Sequence, residues 1–389
     1  MRNWWQNYLM EREYNVHYAE TIKKAFPNKV VCTVGSIMNV ARADEIIAGG
    51  KADMVAMCRP LLADPEMPRK FALGREDDHR PCLRCQYCGG RLLVPAVINC
   101  AVNPYLGNET EFPDGKVRQA EVRKRVAVVG GGPAGIQALL TLCDRGHDVT
   151  LYEKSDHLGG SRVPGAALPF KEDVRDYLDY LQRQAKKAPA RVLLNTEATK
   201  DLLDAEGYEA LVIAVGASPI VPKLPGIDKS HVHWAPEADA GTIPLGERTV
   251  VVGAGSVGVE TAIGLKRQGK DVTVIEMAPD LDNLRASAGG ATMEIMALIE
   301  QLAIPIRLNC KLEAVGDSTV TCRDTSSGET LELPADTVLL AVGMAARRDV
   351  ADSLRRSAPE TEVFVVGDAS SVGNIATAIR SAFKAAAYI

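Results

Sequence analysis

The sequence predicts an α/β fold that contains two nested units of parallel strands and helices. The first observation behind this prediction is a glycine-rich turn that occurs twice, 123 positions apart, with glycines at Gly130, Gly132 and Gly135 and again at Gly253, Gly255 and Gly258. The second observation is that each copy follows a β-branched run and precedes a helical stretch. The third observation is a last strand–turn–helix around Gly367 and Asp368, which can return to complete the first unit.

The N-terminal region adds a strand–helix–strand–helix run of its own. Residues 16–27 have helical spacing of apolar side chains and stop at a proline, and residues 30–34 are predicted to form a buried parallel strand. A helix over 40–48, a strand over 52–57 and a helical stretch over 60–73 follow, joined by short loops. Taken alone, this run could belong to any α/β protein.

Residues 74–110 are predicted to be irregular, and four cysteines lie in this segment. Cys82, Cys85, Cys88 and Cys100 form the pattern C-x2-C-x2-C-x11-C. Four thiolates at this spacing can surround a tetrahedral zinc ion or a cubane cluster. Three of the ligands lie within seven residues, which favours a [4Fe–4S] cluster over zinc, whose sites usually combine two C-x2-C pairs. Structural zinc and free thiols remain the alternatives.

The other five cysteines are isolated in the sequence, and buried core thiols are the better interpretation for most of them. They are Cys32, Cys58, Cys143, Cys310 and Cys322. None belongs to the C-x2-C or C-x4-C pair that disulfide reductases place beside their flavin, which argues against that role.

Each glycine-rich turn has the features that dinucleotide binding requires. The glycines permit a tight turn close to a pyrophosphate, and the helix that follows directs its N-terminus at the phosphates. A second strand then ends in an acid that can accept hydrogen bonds from a ribose diol, Glu153 in the first copy and Glu276 in the second. The complete pattern, present twice, favours two bound dinucleotides over simple glycine turns.

The two sites differ in what surrounds them. The first is followed by Leu158-Gly159-Gly160, and the returning Gly367-Asp368 adds an acid near a helix start, although that pair could also be a plain Asx turn and cap. This set resembles the FAD fold of flavoprotein reductases that bind two dinucleotides. The second site lacks these additions, which fits a nicotinamide dinucleotide. Glu276 would repel a 2′-phosphate with no basic residue directly after it, so NADH is favoured over NADPH.

The predicted cofactor-binding residues of the two units include the glycines that end the outgoing strands. For FAD they are Gly130, Gly132, Pro133, Ala134, Gly135, Glu153, Gly160, Gly216, Asp368 and Ile375. For NAD(P)H they are Gly253, Gly255, Ser256, Val257, Gly258, Glu276 and Gly343.

Three stretches resemble the NADH:flavin oxidoreductase family related to old yellow enzyme, in its iron–sulfur flavoprotein branch of 2,4-dienoyl-CoA reductase, enoate reductases and trimethylamine dehydrogenase. They run over residues 52–65, 80–85 and 99–104. The resemblance implies a (β/α)8 barrel that binds FMN, a cluster held by the four grouped cysteines, and a C-terminal FAD/NAD(P)H module. It also implies that Gly35, Ser36, Cys58 and Arg59 surround the FMN phosphate.

The chain departs from the family pattern in three respects. Cys58 stands where the family usually has glycine, and the cysteine spacing is nearer that of trimethylamine dehydrogenase than that of dienoyl-CoA reductase. A barrel needs about 200 residues, whereas about 75 precede the cysteines, so only the last part of a barrel is expected. FMN is therefore expected only if a missing barrel segment or a partner subunit completes the site.

These observations predict five segments. They are a barrel remnant over 1–75, an iron–sulfur segment over 76–110, a first FAD-binding part over 111–235, an NAD(P)-binding domain over 236–344 and a second FAD-binding part over 345–389.

Composition excludes several classes of partner. The net charge of −5 gives no reason to expect nucleic acid or a membrane surface, and no apolar run reaches the roughly 20 residues needed to span a bilayer. Nine cysteines without a signal peptide favour the reducing cytoplasm. A homo-oligomer is possible.

The predicted function is that of an NAD(P)H-dependent iron–sulfur flavoprotein oxidoreductase. Hydride passes from NADH to FAD, and single electrons pass through the cluster towards FMN and a small enoate, enone or enoyl-CoA substrate. No catalytic side chain is predicted, since the cofactors carry the chemistry. The alternatives are an electron-transfer subunit like the glutamate synthase small subunit, whose relatives lack a barrel, and a non-catalytic nucleotide-binding module.

Overall fold

The computed structural model describes residues 5–91, 96–357 and 361–389, in two units. Unit 1 comprises Met1–Val163, Glu172–Ala217 and Ala346–Ile389, and unit 2 comprises Pro164–Lys171 and Ser218–Ala345. Residues 92–95 of the predicted cluster segment and 358–360 of the last segment lie outside the described residues. The finer domain limits given above remain predictions.

The N-terminal part of unit 1 consists of short elements around a two-stranded parallel sheet. In order they are α1 (Val16–Ala25), β1 (Cys32–Val34), α2 (Val40–Ala48), β2 (Met54–Ala56), α3 (Arg59–Ala63), α4 (Met67–Ala72) and α5 (Tyr87–Gly90). Strands β1 and β2 pair in parallel, with Cys32 opposite Met54 and Val34 opposite Ala56. The side chain of Asn39 accepts the Arg42 N–H and so caps the start of α2.

The prediction of a buried strand over 30–34 is wrong in part. Strand β1 begins only at Cys32, and the side chains of Val30 and Val34 are 77% and 54% exposed. In the described residues β1 pairs with β2 alone, and a two-stranded sheet cannot cover both of its faces. The predicted helical stretch over 60–73 is two helices, because Asp64-Pro65 interrupts it.

The first large sheet is a doubly wound parallel sheet. Its elements are β3 (Arg125–Val129), α6 (Pro133–Asp144), β4 (Asp148–Tyr152), α7 (Arg162–Gly165), α8 (Glu172–Lys187), β5 (Arg191–Leu193), α9 (Lys200–Glu206) and β6 (Ala210–Ile213). A connecting strand, β7 (Ala217–Pro219), leads out of it.

Unit 2 contains the second parallel sheet and an antiparallel one. Its elements are β8 (Val232–Trp234), α10 (Ala235–Asp239), β9 (Arg248–Val252), α11 (Ser256–Arg267), β10 (Asp271–Ile275), α12 (Asp282–Ala288), α13 (Thr292–Gln301), β11 (Ile306–Arg307), β12 (Cys310–Val315), β13 (Thr319–Asp324), β14 (Thr330–Pro334) and β15 (Thr337–Leu340). Strands β12, β13 and β14 form the antiparallel sheet.

The chain then returns to unit 1 and completes its sheet. The last elements are β16 (Met344–Ala346), α14 (Arg348–Ser357), β17 (Glu362–Val365) and α15 (Ile375–Ala386). Strand β17 pairs in parallel with β6, so the first sheet has the order β17-β6-β3-β4-β5. The second has the order β11-β10-β9-β15-β8. The predicted α/β fold class with nested units is confirmed.

The fifth strand of each sheet comes from a different place in the chain. In unit 1 it is the C-terminal β17, whereas in unit 2 it is β8, which precedes the rest of its sheet. In both sheets the strand order reverses at the strand before the glycine-rich turn, β3 or β9. Ligands of open α/β sheets bind at the carboxyl end of such a strand. Among the described helices none is long and apolar enough to cross a membrane.

Candidate nucleotide and cluster sites

The first glycine-rich turn is shaped by close backbone contacts. Gly130 has a φ of +108°, and a Cβ there would lie 2.4 Å from the Ala214 carbonyl oxygen. A Cβ at Gly135 would lie 1.8 Å from the Gly130 carbonyl oxygen. Gly132, by contrast, faces open space, with no atom within 4 Å of its Cβ position. The turn thus needs glycine at two positions for its own backbone and leaves the third open towards a ligand.

Glu153 at the end of β4 is tied to this turn. Its Oε2 accepts the Gly131 N–H at 2.6 Å and its Oε1 accepts the Ser155 N–H at 2.8 Å. The side chain is 8% exposed. Two backbone donors hold the carboxylate beside the turn, where the sequence predicts a ribose.

The turn is covered on two sides by other parts of unit 1. The Gly159 N–H donates to the Gly131 carbonyl at 2.9 Å, and a Cβ at Gly160 would lie 3.2 Å from the Gly132 Cα. Gly367, with a φ of +62°, places its Cβ position 2.8 Å from the Ala134 Cβ. The loop after Leu158 and the returning C-terminal turn therefore both close on the first site.

The remaining residues predicted for the first site lie around the same strand ends. Gly216 follows β6 with a φ of +71° and an open Cβ position, and Pro133 begins α6. Asp368 is half-buried in a one-turn helix over Gly367–Ala369, where its Oδ1 accepts the Gly373 N–H at 3.0 Å. Ile375 begins α15. The topology thus brings these residues to one edge of the first sheet.

The second turn repeats the same backbone geometry. Gly253 has a φ of +104° with its Cβ position 2.6 Å from the Ala341 carbonyl oxygen, and the Cβ position of Gly258 lies 2.0 Å from the Gly253 carbonyl oxygen. Gly255 is open. Gly343, which follows β15, has a φ of +102°.

Glu276 occupies the position in unit 2 that Glu153 has in unit 1. Its Oε2 accepts the Ala254 N–H at 2.8 Å and its Oε1 accepts the Ala278 N–H at 2.9 Å. At the start of α11 the Ser256 N–H donates to the hydroxyl of Ser287, at 3.0 Å, and Val257 is 42% exposed. This second turn is more open than the first.

A third group lies at the carboxyl ends of β1 and β2. The Arg59 guanidinium donates to the Gln6 carbonyl at 2.6 Å and to the Ser36 hydroxyl at 3.3 Å. Gly35 has a φ of +128°, and Cys58 is exposed with a φ of −107°, which needs no glycine. Arg59 thus hydrogen-bonds to neutral oxygens, and its charge also acts on the Cys82 and Cys88 thiols, whose pKa it lowers against the larger effect of burial.

The four clustered cysteines lie near one another in unit 1. Cys82 and Cys100 are each 7% exposed, and Cys85 and Cys88 are partly buried. The Cys82 thiol interacts electrostatically with Cys85 and Cys100, and Cys88 with Cys100. Burial raises the pKa of the Cys85 thiol to about 12 and also raises the pKa of Cys82 and Cys88. A bound metal would have to compensate for this cost of ionisation.

Backbone amides point at these sulfurs. The Arg84 N–H donates to the Cys82 Sγ at 3.3 Å, and backbone hydrogen bonds from Tyr87 and Gly89 lower the pKa of Cys85 and Cys88 against the larger effect of burial. Arg84 and Gln86 have left-handed backbones, with φ of +48° and +62°. The loop therefore curls around its own cysteines.

The donor set at this place consists of four thiols. In the part of the chain that the structure describes, no three His, Cys, Asp or Glu side chains lie close enough together to hold one ion. Zinc requires its sulfurs at about 2.3 Å from one centre, whereas a cubane spreads four thiolates around a larger body. Two buried and two partly buried thiols in one loop are the kind of donor set that a [4Fe–4S] cluster takes, and the cluster itself stays a prediction.

Comparison with known proteins identifies the family. Residues 124–382 match the family model described as pyridine nucleotide-disulphide oxidoreductase. The chain belongs to this family. Residues 2–78 match a second model, that of the NADH:flavin oxidoreductase / NADH oxidase family. The resemblance inferred from sequence is therefore confirmed, and the family is one of NAD(P)H-dependent flavoprotein oxidoreductases.

Similar proteins carry related names. Cinnamate reductase of Clostridium sporogenes is 35% identical over 95% of this chain and 54% of its own length. NADH oxidase of Thermoanaerobacter brockii is 34% identical over 97% of this chain and 58% of its own length. A structure of 2-naphthoyl-CoA reductase with 2-naphthoyl-CoA has a TM-score of 0.90 at 32% identity, over 98% of this chain and 57% of the other. The chain spans about half the length of the curated relatives it matches.

The chain also contains an ion-pair network with buried members, which the sequence did not predict. Arg84, between two of the clustered cysteines, is 1% exposed and donates through Nε to Asp173 at 2.8 Å and through Nη1 to the Met10 carbonyl at 2.8 Å. Arg12 donates to the other oxygen of Asp173 at 2.7 Å. Asp173 lies in the first turn of α8, so the network ties the cysteine loop to the first nucleotide-binding sheet.

Proposed function

We propose that this chain is the electron-input part of an iron–sulfur flavoprotein oxidoreductase, which passes electrons from NADH through FAD and a [4Fe–4S] cluster towards FMN. One observation carries the proposal: Cys82 and Cys100 belong to the same buried core as Ala134 of the first nucleotide turn. A cluster held there would lie in the unit that holds the first dinucleotide. When bound, the flavin accepts a hydride and the cluster accepts electrons one at a time.

The first turn is the proposed FAD site and the second the proposed NAD(P)H site. Glu153 and Glu276 each lie beside a turn and accept one of its backbone N–H groups, which supports a role for both carboxylates at the ribose of a bound dinucleotide. The first site is covered, as a resident cofactor requires, and the second is open, as an exchanging one requires. Glu276 and the exposed Met277 after it support a preference for NADH over NADPH.

The group around Arg59 is the proposed contact for the FMN phosphate. Its guanidinium has neutral partners, the Gln6 carbonyl and the Ser36 hydroxyl, which leaves its charge available to an anion. Strands β1 and β2 have exposed side chains that further barrel strands would cover. We infer that these further strands come from another barrel segment or from a partner subunit, which includes a second copy of this chain.

The proposed substrate is a small conjugated acid, ketone or CoA thioester. Relatives named for reducing cinnamate and 2-naphthoyl-CoA support this class. The match of residues 2–78 to an FMN-binding family favours this reading over a subunit like that of glutamate synthase. The proposed location is the cytoplasm.

The test begins with anaerobically purified protein, its iron, acid-labile sulfide and released flavins. We expect about four iron atoms per chain, stoichiometric FAD, and bleaching of the flavin absorbance by NADH. Cys88→Ser should remove most of the iron, because it deletes one ligand. Cys32→Ser, a change at an exposed cysteine on β1, is the matched control and should retain it.

Three outcomes would overturn the proposal. Zinc in place of iron would make the cysteines a structural site. Bound FAD that NADH leaves oxidised would make the chain a non-catalytic nucleotide-binding module. Equal iron in the Cys88 and Cys32 variants would place the cluster elsewhere.

A further inference from the structure

Tyr177 has a buried hydroxyl that the proposed function does not use. The residue lies in the second turn of α8, is 0% exposed, and its hydroxyl has no hydrogen-bond partner among the described residues. A buried hydroxyl without a partner costs roughly 1–3 kcal/mol. Such a group is therefore expected to meet an acceptor that the chain itself does not supply.

The surroundings of Tyr177 point to the cysteine loop. Tyr177 belongs to the buried core that also contains Cys82, Leu83 and Cys100. Its hydroxyl interacts electrostatically with Arg80 and Tyr180 and, more weakly, with Cys100. Asp173, one turn earlier on the same helix face, holds Arg84 of the loop. Asp173 and Tyr177 therefore lie on the face of α8 that packs against the cysteine loop.

The neighbouring Tyr180 differs from Tyr177 in that its hydroxyl has a hydrogen-bond partner. Tyr180 stacks on Tyr177, with ring centroids 6.0 Å apart and planes 20° from parallel. Its hydroxyl accepts the Arg80 Nε–H at 3.4 Å, so it has a partner within the chain. Burial raises the pKa of Tyr177, which keeps its hydroxyl protonated and therefore a donor.

We propose that the Tyr177 hydroxyl donates a hydrogen bond to an inorganic sulfide of a cluster held by the four cysteines and so raises the reduction potential of that cluster. This inference rests on the proposed function, because it requires the cluster. Reduction adds one negative charge to the cluster and its thiolates. A hydrogen bond to a sulfur stabilises that charge, and such bonds are among the factors that set cluster potentials.

The test is an EPR-monitored redox titration of the anaerobic holoprotein. Tyr177→Phe removes the donor and keeps the ring, so we expect about a tenfold loss in the ratio of reduced to oxidised cluster at a given potential, which is a fall of about 59 mV for one electron. Tyr152→Phe is the matched control. That tyrosine is 1% exposed in the same unit, and its hydroxyl is bonded to Tyr208 at 2.7 Å.

An unchanged potential in Tyr177→Phe, or an equal fall in Tyr152→Phe, would overturn the inference. If Tyr177→Phe fails to hold the cluster, 3-fluorotyrosine introduced at position 177 decides, because its more acidic hydroxyl is a stronger donor. The potential should then rise, and a value equal to that of the unmodified protein would overturn the inference. A parent protein without iron would instead contradict the proposed function, so the two failures are distinguishable.

Discussion

The two glycine-rich turns share their backbone and differ in what covers them. In each, two glycines lie within 3 Å of a carbonyl oxygen at the Cβ position and a third faces open space. Yet Ala134, before the last glycine of the first turn, is 7% exposed, whereas Val257 at the equivalent position of the second is 42% exposed. The local sequence thus sets the shape of the turn, and distant segments decide how firmly a ligand can be held.

The segments that cover the first turn come from two directions. The loop after Leu158 binds the turn through the Gly159 N–H, and Gly367 approaches Ala134 from the C-terminal return. At the second turn the described neighbour is Ser287 of α12, which accepts one exposed N–H. We therefore expect slow release of the first dinucleotide and rapid exchange of the second.

The largest expected effects separate the two turns by substitution of their last glycines. Gly135→Ala would place a Cβ 1.8 Å from the Gly130 carbonyl, and Gly258→Ala would place one 2.0 Å from the Gly253 carbonyl. Gly135→Ala should lose FAD on purification. Gly258→Ala should keep FAD and raise the Kd for NADH about 100-fold, or about 2.7 kcal/mol. Flavin content and calorimetric titration measure both.

The comparison fails if Gly258→Ala loses FAD as fully as Gly135→Ala. That result would mean that the two turns do not bind separately. Gly269→Ala tests the effect of alanine at a left-handed glycine, since its φ is +81° and its Cβ position is open. It should leave both ligands bound.

A medium effect should distinguish the two acids. Glu276→Gln removes the charge and turns one of two acceptors into a donor, so one of the hydrogen bonds to Ala254 or Ala278 is lost. We expect about tenfold weaker NADH binding, roughly 1.4 kcal/mol, and a smaller preference for NADH over NADPH. Steady-state flavin reduction with each nucleotide measures that ratio.

Glu153→Gln is the matched control for that change. It makes the same alteration at the first turn, where the lost acceptor serves Gly131 or Ser155. FAD retention should fall while the ratio of NADH to NADPH rates stays constant. A changed ratio in this variant would show that the two acids do not serve separate ligands.

A further effect, on stability rather than on ligand binding, concerns Asp239, a partly buried acid of unit 2. Burial raises its pKa to about 7, with Glu260 adding to the rise and the Thr261 hydroxyl and Lys171 opposing it. Because the folded state then binds a proton that the unfolded state has released, the free energy of unfolding should fall as pH rises from about 4 to about 7.

Asp239→Asn should abolish this fall, which we expect to be about 3 kcal/mol between pH 4.5 and pH 7.5. Urea unfolding of the whole protein at pH 4.5, 6 and 7.5, followed by tryptophan fluorescence, measures this fall. Asp317→Asn, at an exposed carboxylate whose pKa Lys229 lowers, should retain the slope. A slope that persists in Asp239→Asn would assign the pH dependence to another group.

The sequence predicted the two repeated units well, because each pattern consists of residues that are close together in the chain. The helix over 40–48 is observed with those limits, and a parallel strand, β3 or β9, precedes each glycine-rich turn as predicted. Residues 30–34 were harder, because in the described residues β1 pairs with β2 alone, which leaves the apolar side chains of Val30 and Val34 exposed. The predicted ligand sets remain predictions, although the structure brings the residues of each set to one place.

The sequence by itself determined the fold class, the two turns and their acids, and the spacing of the four cysteines, since each depends on residues near one another in the chain. Only the tertiary structure decided that Gly367 closes on Ala134, that Asp173 holds Arg84, and that the hydroxyl of Tyr177 is buried beside the cysteine loop. These contacts join segments dozens to hundreds of residues apart. No local propensity encodes them, because they form only when separate elements share one core.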